Sequence, residues 1–421
     1  MQASMKTGPI LAAFSILLSV AFLIMGNGLQ LMLLPIRGGI EGFSAFQIGL
    51  LGSGYFFGFV LGCGFTPRMI MRVGHIRTFA ALVAIASAAA LGYPMALDAT
   101  VWVMLRLITG FCLAGLYLVV ESWLNDQATN QTRGVLISTY VTVNFTVITL
   151  GQMMVTLFQP SSFVLFSIAS VLMSLAAVPI VMTRSSQPPP ITIVRFRPLR
   201  MFHLSPTGTV SVFLIGVATG AFWSLAPSYA STVSGSVSDA ALFMSAAVLG
   251  GAVAQLPAGK ISDRVDRRKI LIALSIGCVL FGLVLISTPV TPGLWFLIAA
   301  AFGAGLLPSY AIAAAHVFDF AERSDYVEIS AGLLLLNGMG STIGPILASV
   351  GIELWGQPGL FVVNAAIQLA LIGFVGFRLS RREGLPNAEK QSFDLGTSAP
   401  VSVVGDEAAV QLSDLVVQEQ S

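Results

Sequence analysis

Gly259-Lys260-Ile261-Ser262-Asp263-Arg264-Val265-Asp266-Arg267-Arg268-Lys269 sets seven charged side chains in eleven residues. It lies between two apolar runs, 239–260 and 270–289. Each is close to the roughly 20 residues that a helix needs to cross the hydrocarbon core. A charge cluster held between two such runs reads as a short loop at a membrane surface. Outward from it the same alternation recurs. Twelve apolar runs qualify as spans: 10–34, 46–66, 78–97, 101–124, 134–158, 162–182, 207–231, 239–260, 270–289, 292–318, 328–351 and 358–379. Glycine, proline and serine recur inside them, which membrane helices tolerate because small residues allow close packing. Strands are implausible, since long apolar runs replace the alternation of a barrel.

Composition agrees. Charged residues make up 10% of the 421, where a soluble domain averages about 25%. The apolar set makes up 56%, before 42 glycines are added. These values exclude an ordinary cytosolic enzyme, a disordered chain and a nucleic-acid binder with a basic face. Cys63, Cys112 and Cys278 lie in apolar runs at no metal or disulfide spacing and read as small core residues. The first run is longer than a signal-peptide core and no small-residue cleavage site stands out, so it reads as a span.

Lysine and arginine orient the chain. Lys6, the groups around Arg72, Arg133, Arg197, Arg264 and Arg323, and those beyond Arg378 place 19 of the 21 basic residues on one side. Arg37 is alone on the other side and Arg106 lies within a span. The positive-inside bias makes that face, with both termini, cytoplasmic, and makes an inner (plasma) membrane the expected location. The longest polar stretch between spans, 184–206, holds Pro188-Pro189-Pro190 and reads as a linker extended at the prolines. The expected organisation is a six-helix bundle over 1–183, this linker, a second bundle over 207–380, and a disordered cytoplasmic tail over 381–421.

The halves echo each other. At an offset of 192, Pro35 meets Pro227, Gly58 meets Gly250, and Arg72-Val73-Gly74-His75 meets Arg264-Val265-Asp266-Arg267. At an offset of 193, Gly110 meets Gly303, Tyr117 meets Tyr310, Asn144 meets Asn337, and Gly151 meets Gly344. Parallel halves imply a binding site near the midplane between them.

The 259–269 stretch resembles the G-x-x-x-D-R-x-G-R-R signature of the major facilitator superfamily. The resemblance implies two six-helix bundles that rock around a central cavity and carry small solutes. Asp263 can accept bonds from backbone N–H groups or pair with an arginine, forming a cytoplasmic latch with Gly259, Arg264, Arg267 and Arg268. The first half departs from the pattern: Met71 takes the position of the aspartate and Pro67 that of the first glycine, while Arg72 and Gly74 remain. Arg106-Leu-Ile-Thr-Gly110 resembles the family's fourth-helix R-x-x-x-G element, which is associated with proton coupling. The run Ala114-Gly115-Leu-Tyr117-Leu-Val-Val-Glu121-Ser-Trp123-Leu-Asn125, followed by Arg133-Gly134, is similar to the YcaD-like branch. Gly340-Ser-Thr-Ile-Gly344-Pro345 resembles a motif the family usually carries on span 5. Here it sits on span 11 and reads as a packing element.

Candidate site residues follow from depth. Arg106 lies about 7 Å from the outer end of its span. It either serves the cavity and proton coupling or snorkels outward. Asn27 and Gln30 share its depth as neutral partners. Glu121 is the one carboxylate clearly within a span. Partial dehydration favours the neutral carboxyl, as proton coupling requires; the alternative is an interfacial tether. Asn144 and Asn337 lie about 15 Å deep, where they either bond a polar substrate or glue helices. Tyr117, Trp223, Tyr310 and Gln255 are further cavity candidates or core filler. His316, with Asp319 and Glu322 nearby, reads as a loop anchor.

No Walker A, G-x-S-x-G, H-E-x-x-H or CxxC pattern occurs, so no cofactor, metal or enzymatic chemistry is expected. The reading is a monomeric secondary transporter of a small organic solute, working by alternating access and driven by protons, with no nucleic-acid partner. The sparse central charge favours a neutral or amphipathic solute, or uniport. A non-transporting receptor or scaffold on the same fold is the main alternative, and a membrane enzyme or lipid flippase the second.

Overall fold

A computed structural model of the chain describes residues 7–127, 133–182, 197–287, 291, 293–322 and 325–381. The triple proline of the linker and nearly all of the expected tail lie outside them. The described residues form helices joined by short connections: α1 (Thr7–Ile40), α2 (Ala45–Val73), α3 (His75–Met95), α4 (Ala99–Gln127), α5 (Arg133–Met153), α6 (Val164–Leu175), α7 (Ala177–Val181), α8 (Pro198–Leu204), α9 (Pro206–Ser234), α10 (Val237–Arg264), α11 (Arg267–Ser287), α12 (Leu294–Leu306), α13 (Ser309–Phe318), α14 (Tyr326–Trp355) and α15 (Gly359–Arg381). Among the described residues, 11 helical stretches are long and apolar enough to cross a membrane. The α6–α7 and α12–α13 pairs each count as one stretch. The remaining expected span, 134–158, is α5, which is 21 residues long and packs on α1.

Three local differences from the sequence reading have simple causes. The charged stretch at 259–269 is mostly helix: α10 runs through Asp263 and Arg264, and only Val265 and Asp266 separate it from α11. At a membrane surface charged side chains reach water, so the helix can run on past the apolar stretch; Asp263 pairs across the break with Arg267, the first residue of α11. Part of the expected linker is also helix. Pro198 opens α8 at a position where its missing N–H is not needed, and Pro206 opens α9. Span 10 breaks between α12 and α13 at Leu307 and Pro308.

Helices α1 to α6 pack mainly among themselves, α2 on α4, α1 on α5 and α6, and α3 on α4 and α6. Helices α9 to α15 do likewise, α9 on α14 and α15, α10 on α12, and α11 on α12 and α15. The closest crossings use glycines. A side chain at Gly58 would collide with the Leu107 carbonyl, and one at Gly250 with the Ala300 carbonyl. Gly110 meets Tyr55 as Gly303 meets Ala247, and Gly151 meets Met25 as Gly344 meets Val217. Each pair of contacts is related by the offsets of 192 and 193. The sequence repeat is therefore a repeat of backbone contacts, and small residues recur where carbonyls must approach.

The two sets of helices meet through α2 with α14 and α9, α1 with α9, and α5 with α10. One buried apolar cluster draws on both sets, with Leu33, Ile48 and Trp102 from the first and Phe222, Tyr229 and Phe243 from the second. These residues lie at the end away from the basic connections. Toward the basic end there are two clusters instead. One holds Val20, Phe79, Leu116 and Ile180, the other Val212, Leu271, Ile312 and Leu333. Leu334 of α14 packs against the first of them from the other set. Apart from that one contact, the apolar packing is shared at the far end and divided at the basic end.

Candidate functional site

The polar interior of the first set is built on α1, α2, α3 and α4. Arg106 is 5% exposed, so it does not snorkel to the surface. Its guanidinium carbon lies 4.3 Å from the centre of the Tyr55 ring, a cation–π contact, and Tyr93 is its other close neighbour. The Tyr93 hydroxyl is 3.4 Å from the Thr109 hydroxyl. Asn27 donates to the Tyr55 hydroxyl at 3.5 Å and also neighbours Tyr117. Asn27 and Arg106 thus meet through Tyr55. Gln30 turns away and points its amide at the Met173 sulfur, 3.5 Å off.

Further toward the basic end, Tyr140 of α5 donates a 3.1 Å hydrogen bond to Glu121 of α4. Glu121 is 7% exposed. Tyr310 of α13, in the second set, lies within electrostatic range of Glu121 and of Cys63. Asn144 is half-buried and donates to the Tyr140 carbonyl one turn back on its own helix, at 2.9 Å. Its repeat mate Asn337 donates to the Val212 carbonyl at 3.3 Å and so ties α14 to α9. Trp223 packs edge-on against Phe222. Gln255 is buried on α10. Sequence reasoning missed Tyr55, Tyr93 and Tyr140. Lone tyrosines in apolar spans carry no spacing that separates them from core filler.

At the basic end, Arg267 is the hub. Its Nε donates to Asp319 at 2.8 Å, its Nη1 to Ser262 at 2.9 Å, and its Nη2 lies 3.2 Å from Asp263. The Arg267 side chain is wholly buried and Asp319 nearly so. Asp319, noted in the sequence as a neighbour of His316, is therefore the buried partner of the signature arginine. Arg268 forks onto Asp266, with Nη2 at 2.6 Å and Nε at 3.0 Å. Burial pushes the Asp266 carboxyl up, but the side-chain and backbone N–H groups of Arg268 outweigh it and hold the carboxyl below its usual range. These contacts join α10, α11 and the residue after α13, all in the second set. Gly259 is buried within α10, and Arg264 closes that helix.

The first set keeps the geometry with weaker chemistry. His75, the repeat mate of Arg267, is buried with Nε2 3.2 Å from the Ser122 hydroxyl, and Asp126, the repeat mate of Asp319, lies in its electrostatic range. Gly74 joins α2 to α3 at a φ of 85°, a conformation that favours glycine. Arg72 is exposed. Nearby on the basic face, Arg200 of α8 bridges Asp325 at 2.6 Å and Glu328 at 3.1 Å, fastening α8 to the start of α14.

Comparison with known proteins agrees with this architecture. The family model described as Major Facilitator Superfamily matches residues 208–413. An MFS-type transporter of Enterobacter sp. (strain 638) is 27% identical over 343 residues, covering 80% of this chain and 87% of that protein. The MFS-type transporter YcaD of Escherichia fergusonii is 25% identical over 373 residues, covering 86% and 94%. Among solved structures, the nucleoside transporter NupG aligns with a TM-score of 0.71 at 13% identity, covering 88% of this chain and all of that one. A bacterial homologue of the human lysosomal transporter Spinster, in an inward-facing and unoccupied conformation, aligns with a TM-score of 0.65 at 16% identity, covering 94% and 98%. The structures establish the shared fold, and the relatives, MFS-type transporters aligned over most of their length, indicate a membrane transporter rather than an enzyme. Over its second half the chain matches the model of the major facilitator superfamily, and over most of its length it is similar to MFS-type transporters such as YcaD.

Proposed function

We propose that this chain carries a small organic solute across the inner membrane by alternating access, coupled to protons through Glu121. The observation that carries this reading is the division of the apolar core. The two helix sets share one cluster at the far end and hold separate clusters at the basic end. Such an arrangement is one stage of a rocking cycle, closed at the far end and parted at the basic end. On the positive-inside rule the basic end, with both termini, is cytoplasmic. The two bundles and the linker between them are the moving parts, and the working unit is a monomer.

Glu121 suits the coupling role by position. It is a buried carboxyl that one tyrosine of its own set hydrogen-bonds, with Tyr310 of the opposite set in its electrostatic range. A proton taken up there removes a charge from the place where the sets must approach, which links protonation to closure. Asn27, Tyr55, Tyr117 and Arg106 form the polar wall on the first side. Tyr310, Asn337 and Trp223 belong to the second.

The test has two steps. The protein in detergent is first screened for thermal stabilisation by small organic solutes at two pH values. A solute at about 100 times its dissociation constant stabilises the binding state by about 2.7 kcal/mol. A stabilising solute is then followed into proteoliposomes with and without an imposed pH gradient. The gradient accelerates net uptake by the native chain. Glu121→Gln keeps solute exchange but no longer responds to the gradient. Native uptake that ignores the gradient leaves a uniporter, and binding without flux leaves a receptor.

A further inference from the structure

We infer that the outer face of α2 and α4 in the first helix set is a binding site for an anionic phospholipid, whose phosphate is held by Arg68 and Arg72. The site is a groove of about 390 Å³ lined by Leu61, Phe65, Arg68, Met69, Arg72 and Phe111. All but Phe111 lie on α2, and Leu61, Phe65, Arg68 and Arg72 recur at three- and four-residue spacing, so they share one helix face.

The other faces of α2 are taken. Gly49, Gly52 and Val60 meet the second set, and Gly54, Gly58 and Gly62 meet α4. The groove face points away from the second set and toward the bilayer, and Phe57 and Phe65 on it are about half exposed. From Leu61 to Arg72 it spans about 16 Å of helix. That is close to one leaflet's share, about 15 Å, of the hydrocarbon core. The apolar residues lie at acyl-chain depth and the arginines at headgroup depth.

The repeat shows what the first set lacks: Lys260 and Arg264, the repeat mates of Arg68 and Arg72, stand in a stretch that also carries Asp263 and Asp266. In the second set the matching stretch carries its own acids: Arg267 is bound by Asp263 and Asp319, and Arg268 by Asp266. In the first set Met71 stands where Asp263 stands and Gly74 where Asp266 stands. Among the described residues neither Arg68 nor Arg72 has a carboxylate partner; Arg68 donates to the Gly64 carbonyl of its own helix at 2.8 Å. Two exposed guanidinium groups with no acid, above an apolar groove of leaflet depth, match a lipid phosphate in charge and shape.

The experiment is native mass spectrometry of the full chain in a neutral detergent. It is titrated with phosphatidylglycerol and, separately, with phosphatidylcholine of the same acyl chains. The native chain takes up phosphatidylglycerol at the lower concentration. At about 1 kcal/mol per surface arginine, Arg68→Gln with Arg72→Gln lowers phosphatidylglycerol affinity about thirtyfold and leaves phosphatidylcholine unchanged. Both arginines are exposed, and an unchanged melting temperature checks that the double variant folds. Lys260→Gln with Arg264→Gln, the repeat-related pair, keeps the preference. Equal uptake of the two lipids overturns the site. So does an equal loss in both double variants, which would mean diffuse attraction to the basic face. Displacement of the lipid by glycerol 3-phosphate at a similar concentration would also overturn it, by showing a site for small phosphates alone.

Discussion

Glu353, in the last turn of α14, accepts a hydrogen bond at 3.3 Å from the backbone N–H of Phe46 in the first turn of α2. The contact crosses from the second helix set to the first at the far end. The N-terminus of α2 is already capped by Ser44 and Gln47, which satisfy each other's backbone N–H groups. The Glu353 carboxylate therefore adds the favourable field of an anion at a helix start, about 0.3–1 kcal/mol. That interaction exists only while the far end is closed. Glu353→Gln raises the population open at the far end about two- to fivefold. Spin labels at Ile40 and Leu242 read this as added weight at longer distances. An unchanged distance distribution would remove Glu353 from the gate.

The Arg267–Asp319 pair makes a different prediction, because it lies within one set. Both partners are buried, so removing one strands the other's charge at a cost of about 3–5 kcal/mol. Arg267→Ala shortens the half-life of the folded protein in detergent at elevated temperature. Arg267→Lys recovers little of it, since an ammonium cannot reach Asp319, Ser262 and Asp263 in the fork geometry of the guanidinium. If the two variants match the native chain, the cluster is a surface charge group and not a clamp.

Asp266 supplies a pH test. Its carboxyl is held below the usual carboxylate range by Arg268. A group with a depressed folded pKa contributes stability above its unfolded pKa, about 3.9, and loses it as the pH falls through the lower folded value. Asp266→Asn is therefore less stable than the native chain by a constant margin between pH 7 and pH 5. The margin shrinks below about pH 4. Melting curves across that range check the sign, and a margin that grows toward acid would reverse it.

How much of this was legible beforehand depends on the kind of contact. The apolar runs, the repeat and the orientation bias are periodic, so a single sequence displays them. The glycine pairs are legible for the same reason: Gly58 and Gly250 stand in register because each receives a carbonyl from the neighbouring helix. Side-chain partners are not periodic. Arg106 could be placed by depth, but its burial depends on Tyr55 and Tyr93, which come from two other helices. The Arg267–Asp319 pair joins residues 52 apart across a broken span. Asn144 and Asn337 looked equivalent by offset. One bonds its own helix and the other a neighbour, because only α14 brings its amide up to a carbonyl of another helix.

The glycines also give the most direct test of the packing. At Gly58 and Gly250 a methyl group would run into a carbonyl oxygen of α4 or α12. Carbonyls of packed helices cannot turn aside as a side-chain tip can, so the helices must part. Overpacking of this kind costs about 1–3 kcal/mol. Gly277, in α11, has nothing within 4 Å of the position where a Cβ would stand. There alanine meets no obstacle and favours the helix by about 0.5–1 kcal/mol over glycine. Gly58→Ala and Gly250→Ala therefore melt below the native chain, by similar amounts because the contacts are repeat-related. Gly277→Ala melts at or above it. Equal effects at all three positions would mean that helix propensity, and not the carbonyl contacts, governs these sites.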